Sequence, residues 1–136
     1  MKFKLIPLFI ILQLGALIFT AQGCVEDAEF YKDLTPKEAF AIIQKNRDNP
    51  DFVILDVRTA EEFGGGHIEN AINLNFRNDN FKGELSRLDR NNIYLVYCQA
   101  GIRSGKALEI MKEMNFKRVY HLPAGILGWE KLRREK

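Results

Sequence analysis

Cysteine is scarce in this chain, with two in 136 residues. Two thiols cannot build the disulfide framework of a small secreted scaffold. Histidine is equally rare, also two. His121 falls in an apolar run without ligand partners, so no metal site is expected. An excess of charge of one sign is lacking as well. The formal net charge is +2, which excludes the broad basic footprint of a nucleic-acid-binding protein. There are no internal repeats and no low-complexity tracts. The length is that of one ordinary domain.

One long apolar run is present, at the N-terminus. Met1-Lys2-Phe3-Lys4 is a short basic start, and Leu5 to Phe19 is apolar apart from Pro7, Gln13 and Gly15. Small residues follow, Thr20-Ala21-Gln22-Gly23-Cys24. This order is that of a secretory signal peptide, and the run falls short of the roughly 20 residues that span a bilayer. Residues 1–23 are therefore expected to be a cleaved leader and 24–29 an acidic tether, with the domain at 30–134. Ala21-Gln22-Gly23-Cys24 resembles a bacterial lipoprotein processing box, with Ala21 where that box usually has Leu. Ala21-x-Gly23 also suits ordinary signal peptidase, which would leave a soluble exported protein. The expectation is a cell-envelope or periplasmic protein, lipid-anchored through Cys24. Lys2 and Lys4 are the leader's only charges, so the remainder carries 18 basic and 18 acidic residues. Any affinity for anions must then be local to a site.

The rest of the chain alternates short apolar runs with helical patterns. Strands are expected over 30–34, 52–57, 71–74, 93–97 and 118–122. Thr35-Pro36-Lys37-Glu38 is a helix start, with Thr35 as N-cap, Pro36 at the first position and Glu38 closing a capping box. Its helix runs to about Asn46. A helical turn is expected over 58–63, a flexible break at Gly64-Gly65-Gly66, and further helices over 81–88, 104–114 and 126–134. Helices between strands imply an α/β domain with a central, mainly parallel five-stranded sheet between two helical layers.

The chemistry concentrates at Tyr97-Cys98-Gln99-Ala100-Gly101-Ile102-Arg103-Ser104. A buried strand ends at a cysteine, and a short loop leads into a helix. Loop amides, the helix dipole and Arg103 would all favour the Cys98 thiolate. Ligands of open α/β sheets bind at the carboxyl ends of strands, which argues against an inert core cysteine. Gly101 would let the backbone turn without a Cβ penalty, and Ser104 is expected as the helix N-cap.

Three stretches resemble the rhodanese family of sulfurtransferases. Cys98 to Ser104 resembles its Cys-x-x-Gly-x-Arg-Ser/Thr active-site loop. Leu55 to Phe63, with Gly66-His67-Ile68 and Ala71-Ile72-Asn73, resembles its N-terminal signature, and Leu122 to Trp129 its C-terminal one. Three departures stand out. Gln99 replaces an Arg found in many active members, Asn70 a Gly, and Pro123-Ala124-Gly125 a Gly-Gly pair. Cys98 to Arg103 spans six residues, one fewer than in the related cell-cycle phosphatases, which leans toward sulfur and away from phosphoryl transfer.

The resemblance implies a sulfurtransferase. Cys98 would take sulfane sulfur from thiosulfate or a similar anion as a persulfide, then pass it to a thiol or to cyanide. Gln99, Ala100, Gly101, Ile102, Arg103 and Ser104 would hold the persulfide, and an Asp56–Arg58 ion pair would brace the loop. No general base is needed if electrostatics already yield the thiolate, and no cofactor, nucleic acid or obligate second subunit is expected. A sulfur carrier with little turnover of its own is the competing reading, favoured by Gln99. His67 is expected to be a packed histidine bonded to backbone, Trp129 a core anchor, and Lys131, Arg133 and Arg134 a solvated helix end. Cys98 is expected to remain unpaired with Cys24.

Overall fold

The computed structural model describes residues 28–135. The leader, Cys24 and most of the tether lie outside these residues. Ten elements follow one another: β1 (Phe30–Asp33), α1 (Pro36–Lys45), β2 (Phe52–Asp56), α2 (Ala60–Gly64), β3 (Ile72–Asn73), α3 (Phe81–Leu85), β4 (Ile93–Tyr97), α4 (Ile102–Glu113), β5 (Arg118–Leu122) and α5 (Gly125–Arg134). The five strands form one sheet in the order β1-β5-β4-β2-β3. Every pairing is parallel.

β4 lies at the centre, and its continuous apolar sequence follows from being covered on both faces. Successive side chains alternate across the sheet. Tyr94 and Val96 join Leu55, Val119, Phe81, Leu85, Ala107 and Met111, a core under α3 and α4. Leu95 and Tyr97 join Ile54, Leu122, Ala39, Ile126 and Trp129 under α1 and α5. The result is a three-layer α/β domain. Trp129 is 5% exposed and packs on Phe40 with ring centroids 5.9 Å apart.

The first helix begins as its sequence implies. Thr35 caps it, and Glu38 returns the bond to the Thr35 backbone. α3 is shorter than the expected 81–88. The Ser86 hydroxyl donates to the Gly83 carbonyl at 2.6 Å, a local bond that competes with the helical ladder. Asn70 stands in the left-handed region at φ 63°, which Asn tolerates better than most residues. That accounts for its replacing a glycine.

Gly125 opens α5 at φ 61°. A Cβ there would meet the Gln99 carbonyl oxygen at 2.2 Å and the Cys98 carbonyl oxygen at 2.7 Å. The pair Ala124-Gly125 therefore needs glycine only at its second position. Ala124 sits at an ordinary φ of −68°. Gly125→Ala is expected to destabilise the domain by more than about 2 kcal/mol, from the left-handed backbone plus the clash. Gly105→Ala should be neutral or stabilising by up to ~1 kcal/mol, since its Cβ meets only a His121 ring carbon at 3.9 Å. Urea denaturation of the two variants checks both.

Candidate active site

The pleat of β4 aims Cys98. One residue beyond the strand, it continues the face of Tyr94 and Val96 and lies under α4, 1% exposed. The chain then reverses at Gly101, with φ 93°. A Cβ at Gly101 would lie 2.3 Å from the Pro123 carbonyl oxygen. α4 starts immediately after. The Cys98 sulfur accepts the Gly101 N–H at 3.1 Å and the Ser104 hydroxyl at 3.3 Å. The backbone amides of Ser104 and Ala100 also donate to it. Burial by itself pushes the thiol up, but the Ser104 hydroxyl and the three amides outweigh it. The thiol is held below its ordinary value, which favours the reactive anion.

Ser104 is not the N-cap. Gly101 occupies that position, and Ser104 is the third residue of α4. The left-handed glycine lets the helix open two residues earlier than expected. The sulfur replaces the capping oxygen by accepting a first-turn amide. This frees the Ser104 hydroxyl, fully buried, to point into the site. It lies 3.2 Å from the Gly101 carbonyl and 2.9 Å from His121 Nε2.

The Arg103 guanidinium is engaged by a carboxylate. It makes two parallel 2.7 Å bonds to the Glu62 carboxylate, the bidentate geometry that gives such pairs their strength. The same carboxylate accepts from the Thr59 N–H and hydroxyl at 2.9 and 3.0 Å, completing the capping box of α2. The pair therefore ties α2 to α4. The guanidinium still acts on the sulfur through space. Thr59-x-x-Glu62 is legible in the sequence as a capping box, but its partnership with Arg103, 41 residues away, is not.

Asp56 and Arg58 form a second, fully buried pair. Arg58 Nη2 lies 2.8 Å from Asp56 Oδ2, and Arg58 Nε bonds both carboxylate oxygens at 3.1 Å. Nη2 also donates to the Gly66 carbonyl at 2.6 Å, and Nη1 reaches Gln99 Oε1 at 3.4 Å. The pair thus spans from β2 to the segment after α2 and to the loop. Cys98, Gln99, Ala100, Ile102 and Arg103 line an open cleft of about 110 Å³, room for an anion of a few heavy atoms. Ile102 is 73% exposed at its rim.

Of the two histidines, His67 departs from expectation in its position. His67 does bond backbone, donating from Nδ1 to the Phe63 carbonyl at 2.9 Å. It is exposed rather than packed in the core, and its ring stacks on Phe63 at 3.7 Å. Four residues separate the two, so a local contact suffices. His121 is buried, between Ser104 and Asp33, with its Nδ1 2.9 Å from Asp33 Oδ1. Its place follows from the alternation of β5, which puts it on the α4 face with Val119.

The Arg103 bond holds Glu62 well below the usual carboxylate range. A carboxylate lowered on folding stabilises above its unfolded value of ~4.3 and loses that contribution as pH falls toward the lower folded value. Glu62→Gln should therefore lower the melting temperature at neutral pH. The gap to wild type should close as pH drops below about 4, which melting curves across an acid series would reveal.

The model of the rhodanese-like domain family matches residues 39–132. The chain is 35% identical over 95 residues to a tRNA uridine(34) hydroxylase of Photorhabdus laumondii, covering 65% of this chain and 26% of that protein. It is 36% identical over 93 residues to the enzyme of that name from Citrobacter koseri, at 65% and 27% coverage. The chain thus spans about a quarter of the length of these relatives. Among solved structures it is similar to a rhodanese-like domain protein of Staphylococcus aureus, with 31% identity and a TM-score of 0.58, over 72% of this chain and 90% of that one. It also resembles a rhodanese-related protein of Thermoplasma volcanium, with 25% identity and a TM-score of 0.58, over 77% and 92%. With its parallel five-stranded sheet and Cys98 at the tip of the central strand, the chain belongs to the rhodanese-like domain family, within the sulfurtransferase superfamily.

Proposed function

We propose that the protein moves sulfane sulfur from thiosulfate or a similar donor to a thiol, or to cyanide, through a persulfide on Cys98. The observation that carries this reading is the convergence of three amides and a hydroxyl on one buried sulfur beside a small open cleft. The Cys98 thiolate attacks the outer sulfur of the donor. An S–S bond forms to Cys98, the donor's S–S bond breaks, and its electron pair leaves with sulfite. An acceptor thiolate then attacks the outer sulfur, and Cys98 departs as the thiolate. The loop amides face the charge in both states, much as an oxyanion hole does.

A carrier role with little turnover has its own support. Gln99 is neutral, and the two guanidinium groups at the loop are each engaged by a carboxylate, Arg103 by Glu62 and Arg58 by Asp56. An anionic donor would meet amides and partly neutralised cations there. A near-background steady-state rate with thiosulfate would favour the carrier. Export and a lipid anchor at Cys24 belong to the same proposal and rest on the N-terminal pattern alone.

The reduced protein, incubated with thiosulfate, should gain one sulfur atom by intact mass. The gain should be absent from Cys98→Ser and should vanish on adding cyanide. A Cys98→Ser protein that still turned over thiosulfate would refute the assignment.

A further inference from the structure

Four side chains form a continuous line from the sulfur to solvent. Cys98 Sγ is 3.3 Å from Ser104 Oγ, Ser104 Oγ is 2.9 Å from His121 Nε2, and His121 Nδ1 is 2.9 Å from Asp33 Oδ1. Ser104 and His121 are buried, at 0% and 6% exposure, whereas the Asp33 side chain is 69% exposed. Resting on the reading of Cys98 as nucleophile, we propose that His121, oriented by Asp33, receives the Cys98 proton through Ser104, so that the reactive state is a thiolate–imidazolium pair.

Hydrogen counting supports the proposal. A hydroxyl has one proton to donate, and a neutral imidazole has one N–H. The Asp33 carboxylate requires the N–H on Nδ1. With His121 neutral, Nε2 then accepts the Ser104 proton, and the sulfur must be the donor, as a thiol, to Ser104 Oγ. With Ser104 donating to the sulfur, Oγ accepts instead from Nε2, and both ring nitrogens carry protons. The two arrangements interconvert by two short transfers. The S–H bond breaks as a new O–H forms at Ser104, while the old O–H breaks as N–H forms at Nε2. No proton leaves the site and no co-reactant is needed.

Ionisable groups approach this line from several elements. β1 supplies Asp33, and β4 leads to Cys98. From α4, Arg103 adds positive charge toward the sulfur while held by Glu62 of α2. On β2, Asp56 is bound by Arg58. The other histidine, His67, is exposed and spends its Nδ1 on Phe63. Nothing in this set besides His121 offers a neutral base in hydrogen-bond line with the sulfur.

The test measures the rate at which iodoacetamide alkylates Cys98 as a function of pH. It uses the full chain and reads the Cys98 peptide by mass spectrometry. No sulfur donor is involved, so failure to form a persulfide would leave this profile informative. His121→Gln keeps a side-chain N–H for Ser104 but cannot hold the proton. The Cys98 midpoint should rise by about one pH unit in this variant, the effect of losing one adjacent opposite charge. Alkylation at neutral pH should then slow by roughly tenfold. Asp33→Asn, a change at an exposed side chain, should move the midpoint in the same direction by less. A merely structural His121 would be rescued by Gln with no shift. A His121→Gln midpoint equal to that of wild type overturns the relay, and should that variant not fold, an unshifted Asp33→Asn midpoint does so.

Discussion

A sulfur anion under a protein loop is costly unless donors converge on it. In this domain the Cys98 sulfur accepts bonds from the loop amides and the first turn of α4, and the surrounding architecture exists to keep those donors in place. The central strand carries the sulfur to the carboxyl edge of the sheet. The helix that follows must then start at once, because only amides left without intrahelical partners can turn toward it. Burial works against the anion, and the directed donors outweigh burial. The same low-dielectric setting that penalises the charge also strengthens each bond to it.

The loop cannot hold this shape alone. Two close backbone approaches confine it, Gly101 against Pro123 and Gly125 against the carbonyls of Cys98 and Gln99. The segment between β5 and α5 is thus the floor on which the loop rests. The Ile126 N–H bonds the Cys98 carbonyl at 2.9 Å. Two ion pairs act as struts on the other side. Glu62–Arg103 joins α2 to α4, and Asp56–Arg58 joins β2 to the loop. Both use arginine, whose fixed planar fork sets direction as well as attraction. Arg103, in the loop, is thus bound by a carboxylate of another helix, and its charge couples to the sulfur through space.

Much of the fold was legible in the chain. The continuous apolar runs at 52–56 and 93–97 marked central parallel strands, because strands covered on both faces need no polar alternation. Thr35-Pro36-x-Glu38 marked the first helix through local bonds alone. The Cys98 loop was legible because its residue types and spacing are themselves the chemistry. The limits fell where a distant partner decides. The expected start of α4 at Ser104 failed because a sulfur, not a hydroxyl, caps the helix. His121 showed no partner along the chain because Ser104 and Asp33 are 17 and 88 residues away.

The sequence by itself determined the order of strands and helices, the position of Cys98 at a strand tip, and the length of its loop. These depend on periodicity, capping and turn chemistry, which act over a few residues. Tertiary structure decided which side chains face that sulfur and in what role. The parallel register that sets His121 beside Val96, the pleat that sends both Cys98 and His121 to the α4 side, and the meeting of Glu62 with Arg103 all arise from contacts between elements. Such contacts exist only once the sheet has assembled, so no local pattern records them.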